Sequence, residues 1–180
     1  EGGILVVKSG TSDYERLMEK AKDLAVLQSA ESIVNWDMET MMPPKAINLR
    51  SQQLSLLSVI EHKMSTDTET GTLLQRIKQG PKYARLDEVQ KRNVYLVQKR
   101  YDEQTKLPED LVAAIAKQQA LTIDTWKKAK ATNNFAMFRP QLEKMVDLQK
   151  RAADILMKVK ETSIPYDAMI DIFDPKMAAD

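Results

Sequence analysis

The sequence predicts an all-α fold of about six to seven helices, several of them long, packed as antiparallel helical hairpins. Three observations carry this. Apolar residues recur at helical spacing along nearly the whole chain, whereas Ile4–Val7 is the only strand-like run. All five Gly lie at or before Gly80, so the second half has few breakers. Pro-Pro, Gly-Pro and Asn-Asn pairs divide the helical stretches at turn-like points. No fixed-period repeat is present, which speaks against a solenoid.

Residues 1–11 read as an N-terminal extension outside the fold, and 12–180 as a single helical domain. Ser12-Asp13-Tyr14-Glu15 is a capping box that opens a first helix. Tyr14, Leu17, Met18, Ala21, Leu24 and Ala25 then share a face, and the helix runs to about Thr40. Met41-Met42-Pro43-Pro44 stops it, because a residue before Pro is pushed out of the α region.

A second helix opens on Pro44 with the stripe Leu49, Leu56, Leu57, Ile60 and Met64, which Gln53 interrupts. Ser65-Thr66-Asp67 restarts a shorter helix carrying Leu73, Leu74 and Ile77 as far as Gly80-Pro81. A fourth begins near Leu86 and lines up Leu86, Val89, Asn93, Leu96, Val97 and Arg100. The fifth starts at Pro108-Glu109-Asp110 and carries Leu111, Ile115, Thr122 and Trp126 towards Ala129. A sixth starts at Pro140 with Leu142, Met145, Val146, Ala153 and Leu156, and a short segment spans Pro165 to Phe173.

Composition excludes several functions. The 27 basic and 26 acidic side chains leave a net charge of +1, which argues against nucleic acid as the main partner. Lys91-Arg92, Lys99-Arg100 and Lys127-Lys128 with Lys130 have acids close by and read as solvated, ion-paired helix faces. With no Cys there are no disulfides, thiolate metal sites or Cys nucleophiles. One His is too few for the usual zinc site, and a Ser-His-Asp triad has only His62 to build on. No apolar run reaches the roughly 18 residues of a membrane span, and a cytoplasmic protein is expected.

Four clusters invite a functional reading. His62, between Glu61 and Lys63, reads as a solvent-facing residue rather than a general base or ligand. In Asn35-Trp36-Asp37-Met38-Glu39-Thr40 the two carboxylates are two apart on a helix and do not face each other, which disfavours a paired-acid site. The preferred reading has Trp36 plugging the core and Asp37 or Glu39 holding Arg50 from the next helix. Trp126 with Phe135 and Phe138 reads as an aromatic plug between two helices. The ten Met read first as core filler and second as a flexible binding groove.

The order of motifs adds a resemblance. Tyr14-Glu15-Arg16-Leu17 precedes Trp36-Asp37-Met38-Glu39-Thr40-Met41-Met42-Pro43-Pro44 and Arg50-Ser51-Gln52-Gln53-Leu54. Then come Leu107-Pro108-Glu109-Asp110-Leu111-Val112, Trp126-Lys127-Lys128-Ala129 and Asn133-Asn134-Phe135-Ala136-Met137-Phe138. Pro140-Gln141-Leu142-Glu143-Lys144-Met145-Val146, Pro165-Tyr166-Asp167-Ala168-Met169 and Phe173-Asp174-Pro175-Lys176-Met177 complete the series. From Tyr14 to about Met177 this resembles the N-terminal part of the carboxypeptidase Taq family of zinc metallocarboxypeptidases.

That resemblance implies a helical fold with a deep groove and the release of C-terminal amino acids from peptides. It implies zinc or cobalt in a longer parent, held by an HExxH helix and a downstream Glu. No HExxH occurs here. No catalytic, metal-binding or cofactor-binding residue is therefore assigned to this chain, and alone it is expected to be inactive. Trp36, Asp37, Glu39, Thr40, Met42, Pro43 and Arg50 are assigned a structural role as family-motif residues. The expected partners are the missing C-terminal catalytic region, a peptide substrate in the full-length enzyme, and a second copy in a homo-oligomer. Departures from the pattern are Asn134, where the family often has Asp, and Lys176, where it often has Gly. The rival readings are a stand-alone helical interaction module without catalysis and an unrelated bundle that seats a partner helix in a Met-rich groove.

Overall fold

The computed structural model describes residues 12–175 and 177–179; the strand-like run Ile4–Val7, the extension 1–11 and the departure at Lys176 lie outside the described residues. Seven α-helices form, with no strand among the described residues: α1 (Asp13–Thr40), α2 (Ile47–Ser65), α3 (Thr68–Gln79), α4 (Glu88–Gln104), α5 (Glu109–Ala131), α6 (Phe135–Lys160) and α7 (Pro165–Ile170). Short 3₁₀ turns cover Pro44–Ala46 and Tyr83–Arg85.

The boundaries follow local chemistry. The Ser12 hydroxyl accepts from the Glu15 amide at 3.2 Å, and the Glu15 carboxylate returns the bond to the Ser12 amide at 2.7 Å. Asp87 and Gln90 form a second such box at the start of α4. Asp67 caps α3 through the Glu69 amide. The sixth helix begins at Phe135, not at Pro140, because the Asn134 side chain caps it by accepting from the Met137 amide. Pro140 then sits inside the helix. With no glycine beyond Gly80, left-handed turns fall to Asn133 (φ 50°) and to Glu161 (φ 55°), which ends α6.

Pairings across α1 and α2 fix their direction. Gln28 meets Glu61, Glu31 meets Ser58, and Asp37 meets Arg50, so the two helices run antiparallel. Helix α5 lies against α2 and reaches α1, with the Ser55 hydroxyl donating to the Ala113 carbonyl and Lys127 pairing with Glu39, and α6 packs back on α5 through Gln118 and Gln141. Helices α3 and α4 close the α1 end.

The core is in two pieces. One gathers Leu17, Leu73, Leu74, Ile77 and Val94 from α1, α3 and α4; the other gathers Met38, Ile47, Leu54 and Ala120 from α1, α2 and α5.

The largest departure from expectation is α2. Its buried residues are Ile47, Ser51, Leu54, Ser58, His62 and Ser65, while Leu49, Leu56 and Ile60 of the expected stripe face solvent. Serines recur every seven residues on the buried face, and Ser58 donates there to Glu31 of α1, so hydrogen-bonded polar side chains occupy inward positions that hydrophobicity alone would give to leucine. The expected face of α4 is met in part: Leu86 and Val97 pack against the core and Asn93 donates to the Tyr14 hydroxyl, whereas Val89 and Leu96 are exposed and Val94, outside that stripe, is buried. Leu73, Leu74 and Ile77 are buried as the periodicity indicates.

Candidate functional site

The Pro-Pro corner is held by one arginine. Arg50 Nη1 donates to the Val34 carbonyl at 2.6 Å, and Nη2 donates to the Asp37 carboxylate. The Asp37 carbonyl accepts from the amides of Met41 and Met42, which ends α1. Glu39 pairs with Lys127 of α5 at 2.7 Å, and the Thr40 hydroxyl donates to the Trp36 carbonyl at 2.8 Å. Met42 packs at the edge of the second core cluster, whereas Pro43 is exposed. Of the two carboxylates offered as partners, Asp37 takes Arg50. Trp36 does not plug the core. It is 61% exposed, because it lies on the back of α1 with Val26 and Ile33, away from α2.

His62 also departs from its expected place. It is 7% exposed, on the buried serine face of α2, with Nδ1 3.3 Å from Gln104 Oε1. Its charged sequence neighbours misled, because the face and not the flanking residues decides burial.

A paired-carboxylate site exists, but between helices. Glu31 of α1 lies beside Glu61 of α2. Burial, then repulsion by Glu61, raises the Glu31 pKa, against the Ser58 hydroxyl that donates to it at 3.2 Å. Glu61 accepts from Arg100 Nη2 at 2.5 Å and from Gln28 at 2.6 Å. The bonded partners lie 27 to 39 residues apart in sequence, beyond the reach of any local motif.

The aromatic trio is not a plug either. Trp126 and Phe135 are exposed, and with Phe138 they line an open hollow of about 320 Å³ at the α5–α6 turn. Lys130 Nζ stands 4.9 Å from the Trp126 ring centre and Phe135 packs edge-on to Phe138.

A larger cavity of about 410 Å³ opens between α1, the α2–α3 junction, α4 and the end of α7. Its wall is apolar at Leu17, Leu24, Leu96 and Val97. Ion pairs ring it: Lys20 with Asp67 at 2.5 Å, Arg100 with Glu61, and Lys99 with Asp171 at 2.9 Å. Burial depresses the Lys20 pKa, but Asp67 and Glu69 outweigh it and hold the net shift upward. Lys160, 6% exposed, donates to Asp171 at 2.9 Å and to the Ala168 carbonyl at 3.1 Å, tying α7 down.

His62 is turned to Gln104, and Glu31 and Glu61 are engaged with Ser58, Gln28 and Arg100. Among the described residues no group of three His, Cys, Asp or Glu is placed to hold a metal ion. No helix among them is long and apolar enough to cross a membrane.

Comparison with known proteins meets this fold from two sides. Residues 16–180 match the family model described as carboxypeptidase Taq (M32) metallopeptidase. Thermostable carboxypeptidase 1 of Pyrococcus furiosus is 28% identical over 160 residues, covering 89% of this chain and 31% of the relative. Thermostable carboxypeptidase 1 of Thermus thermophilus is 26% identical over 172 residues, covering 92% and 34%. Among solved structures, BsuCP superposes with a TM-score of 0.85 at 23% identity, a likeness of fold, covering 93% of this chain and 33% of that one. The M32 carboxypeptidase of Deinococcus radiodurans gives 0.71 at 28% identity, covering 93% and 32%. The chain thus spans about a third of the length of the curated relatives it matches. With the family model covering all but the opening residues, this chain belongs to the carboxypeptidase Taq (M32) metallopeptidase family.

Proposed function

We propose that this chain is the N-terminal helical third of a metallocarboxypeptidase that removes C-terminal amino acids from peptides, and that it walls or lids the substrate groove without supplying the metal site. The family match over residues 16–180, set against the 31–34% of the relatives' length, carries the reading. Zinc or cobalt belongs to the remaining region, which is also this chain's principal partner. The peptide substrate lies between the two.

The outward faces of α1 and α2 support the same reading. Val26, Ile33 and Trp36 on one helix and Leu49, Leu56 and Ile60 on the other are exposed apolar residues at helical spacing. Such faces gain free energy when covered, by the remaining region in the complete enzyme or by a second copy in its absence. The proposed compartment is the cytoplasm.

The test is peptide hydrolysis. The isolated chain with added zinc or cobalt is expected to release no C-terminal residue from a blocked dipeptide. Joined to the remaining two-thirds of a family member, it is expected to support metal-dependent release. Activity of the isolated chain, or an inactive but folded and metal-loaded fusion, overturns the proposal. The stand-alone interaction module is the second outcome of that same fusion experiment.

A further inference from the structure

A hollow of about 620 Å³ opens where the chain enters the described fold. Ser12, the cap of α1, stands on its rim, and Tyr14, Ile77, Tyr83 and Leu86 form its floor. Tyr14, Tyr83 and Leu86 pack on the first core cluster, to which Ile77 belongs, so this floor is an open edge of the core. Covering such an edge is favourable, because it removes apolar surface from water. The charged rim is uncommitted. Asp13, Arg76 and Lys82 line the hollow, and among the described residues none of them has an ion pair or a side-chain hydrogen bond. Glu15, the other charged residue of the lining, is engaged in the α1 cap.

The residues ahead of Ser12 supply what this lining lacks. Ile4-Leu5-Val6-Val7 is the apolar run of residues 1–11, set off by Gly2-Gly3 before it and Ser9-Gly10 after it. Ser9-Gly10 is a signal for chain reversal, because Gly adopts backbone angles closed to other residues. Val7 precedes Ser12 by five residues, a reach of about 17 Å at full extension, so a run that turns back meets the hollow beside its own anchor. The tether also sets an effective concentration on the order of millimolar, which fills a site that the same run would occupy poorly as a separate peptide.

We propose that residues 1–11 return to this hollow and seat the Ile4–Val7 run on the floor formed by Tyr14, Ile77, Tyr83 and Leu86 of the same chain. In that seat Lys8, nearest the anchor, meets Asp13, and Glu1 at the far end meets Arg76 and Lys82, so both pairings are of opposite charge. The seated run lengthens the first core cluster and ties the start of α1 to the turn between α3 and α4. The inference uses only residues of this chain and does not rest on the peptidase reading.

The lack of cysteine gives the test its specificity, since one introduced thiol takes a nitroxide at a single position. In the full chain, a nitroxide at Gly3→Cys is expected to broaden the amide signals of Ile77, Tyr83 and Leu86 at least about fivefold more than those of Met137 and Phe138 at the α5–α6 turn. Leu5→Asp with Val6→Asp is expected to abolish that difference while the helical circular dichroism stays that of the parent. Tyr83→Asp, at a half-buried position of the floor, is expected to reduce it from the other side. Lys8→Glu, which sets like charges at the rim, is expected to reduce it about twofold at low salt. Isotope-enriched chains without the nitroxide, mixed with labelled chains, are expected to keep sharp signals. Uniform broadening, or broadening that persists in the Leu5→Asp, Val6→Asp variant, overturns the proposal. Broadening in the mixture overturns it too, since a second copy's segment then fills the hollow.

Discussion

Replacing Arg50 by alanine tests the corner on which the α1–α2 hairpin turns. The guanidinium is 14% exposed and makes two bonds from one plane, to the Val34 carbonyl at 2.6 Å and to the Asp37 carboxylate. Hydrogen bonds involving a charged group contribute about 1.5–3 kcal/mol each. Asp37 is 34% exposed, so water takes up part of what the ion pair loses, and its share falls to the lower end. Arg50→Ala is therefore expected to cost about 2–4 kcal/mol in urea unfolding followed by far-ultraviolet circular dichroism. Arg50→Lys keeps the charge but not the fork, and is expected to lose about half of that. Asp37→Asn alone removes about 1–2 kcal/mol, and the double-mutant cycle returns a coupling of about 1 kcal/mol or more. If Arg50→Ala unfolds within about 0.5 kcal/mol of the parent, or if Lys is as good as Arg, the corner is not held by this side chain.

The Glu31–Glu61 pair gives a pH signature. Burial and Glu61 raise the Glu31 pKa, so its contribution is favourable below its ordinary 4.5 and is lost as pH rises through the folded value. Glu31→Gln is expected to gain about 0.5–1 kcal/mol at pH 7, with the difference vanishing below pH 4.5 in a stability–pH series; a variant less stable at pH 7 contradicts the pairing. Asp67 slopes the other way. The Lys20 ammonium and the Glu69 amide hold its pKa down, so its support is lost only as pH falls through that lowered value. On the outer face of α2, Leu49→Lys with Leu56→Lys is expected to shift sedimenting mass towards monomer while leaving the melting temperature within a few degrees; unchanged self-association separates this face from any assembly.

Most helix starts were readable because they are fixed by residues within four positions, the exception being α6, whose Asn134 cap lies ahead of Pro140. Ser12 with Glu15, Pro43-Pro44, Asp67 and Pro108 all stand where the chain bends. Facing was less readable. Helix α2 carries Leu49 and Leu56 on one side and Ser51, Ser58 and Ser65 on the other, and hydrophobicity alone turns the first set inward. The structure turns Leu49 and Leu56 out and buries Ser51, Ser58 and Ser65 beside Leu54, with Ser58 bonded to Glu31 of α1. Arg50 with Asp37 was accessible because the corner limits the reach of both. The Glu31–Glu61–Arg100 cluster and the large cavity were not, because each joins helices that only the packed fold brings together.

The divided core has a mechanical meaning. Leu17, Leu73, Leu74, Ile77 and Val94 bind one end of the bundle, and Met38, Ile47, Leu54 and Ala120 bind the other. Midway along α1 and α2, the space is occupied by Glu31, Ser58, Glu61 and His62 with Arg100 and Gln104 from α4. Salt bridges and hydrogen bonds tolerate sliding by exchanging partners, whereas interlocked aliphatic side chains resist it. Two aliphatic ends are thus joined by a polar waist, and the expected place for the helix pair to bend is that waist, with each end keeping its shape.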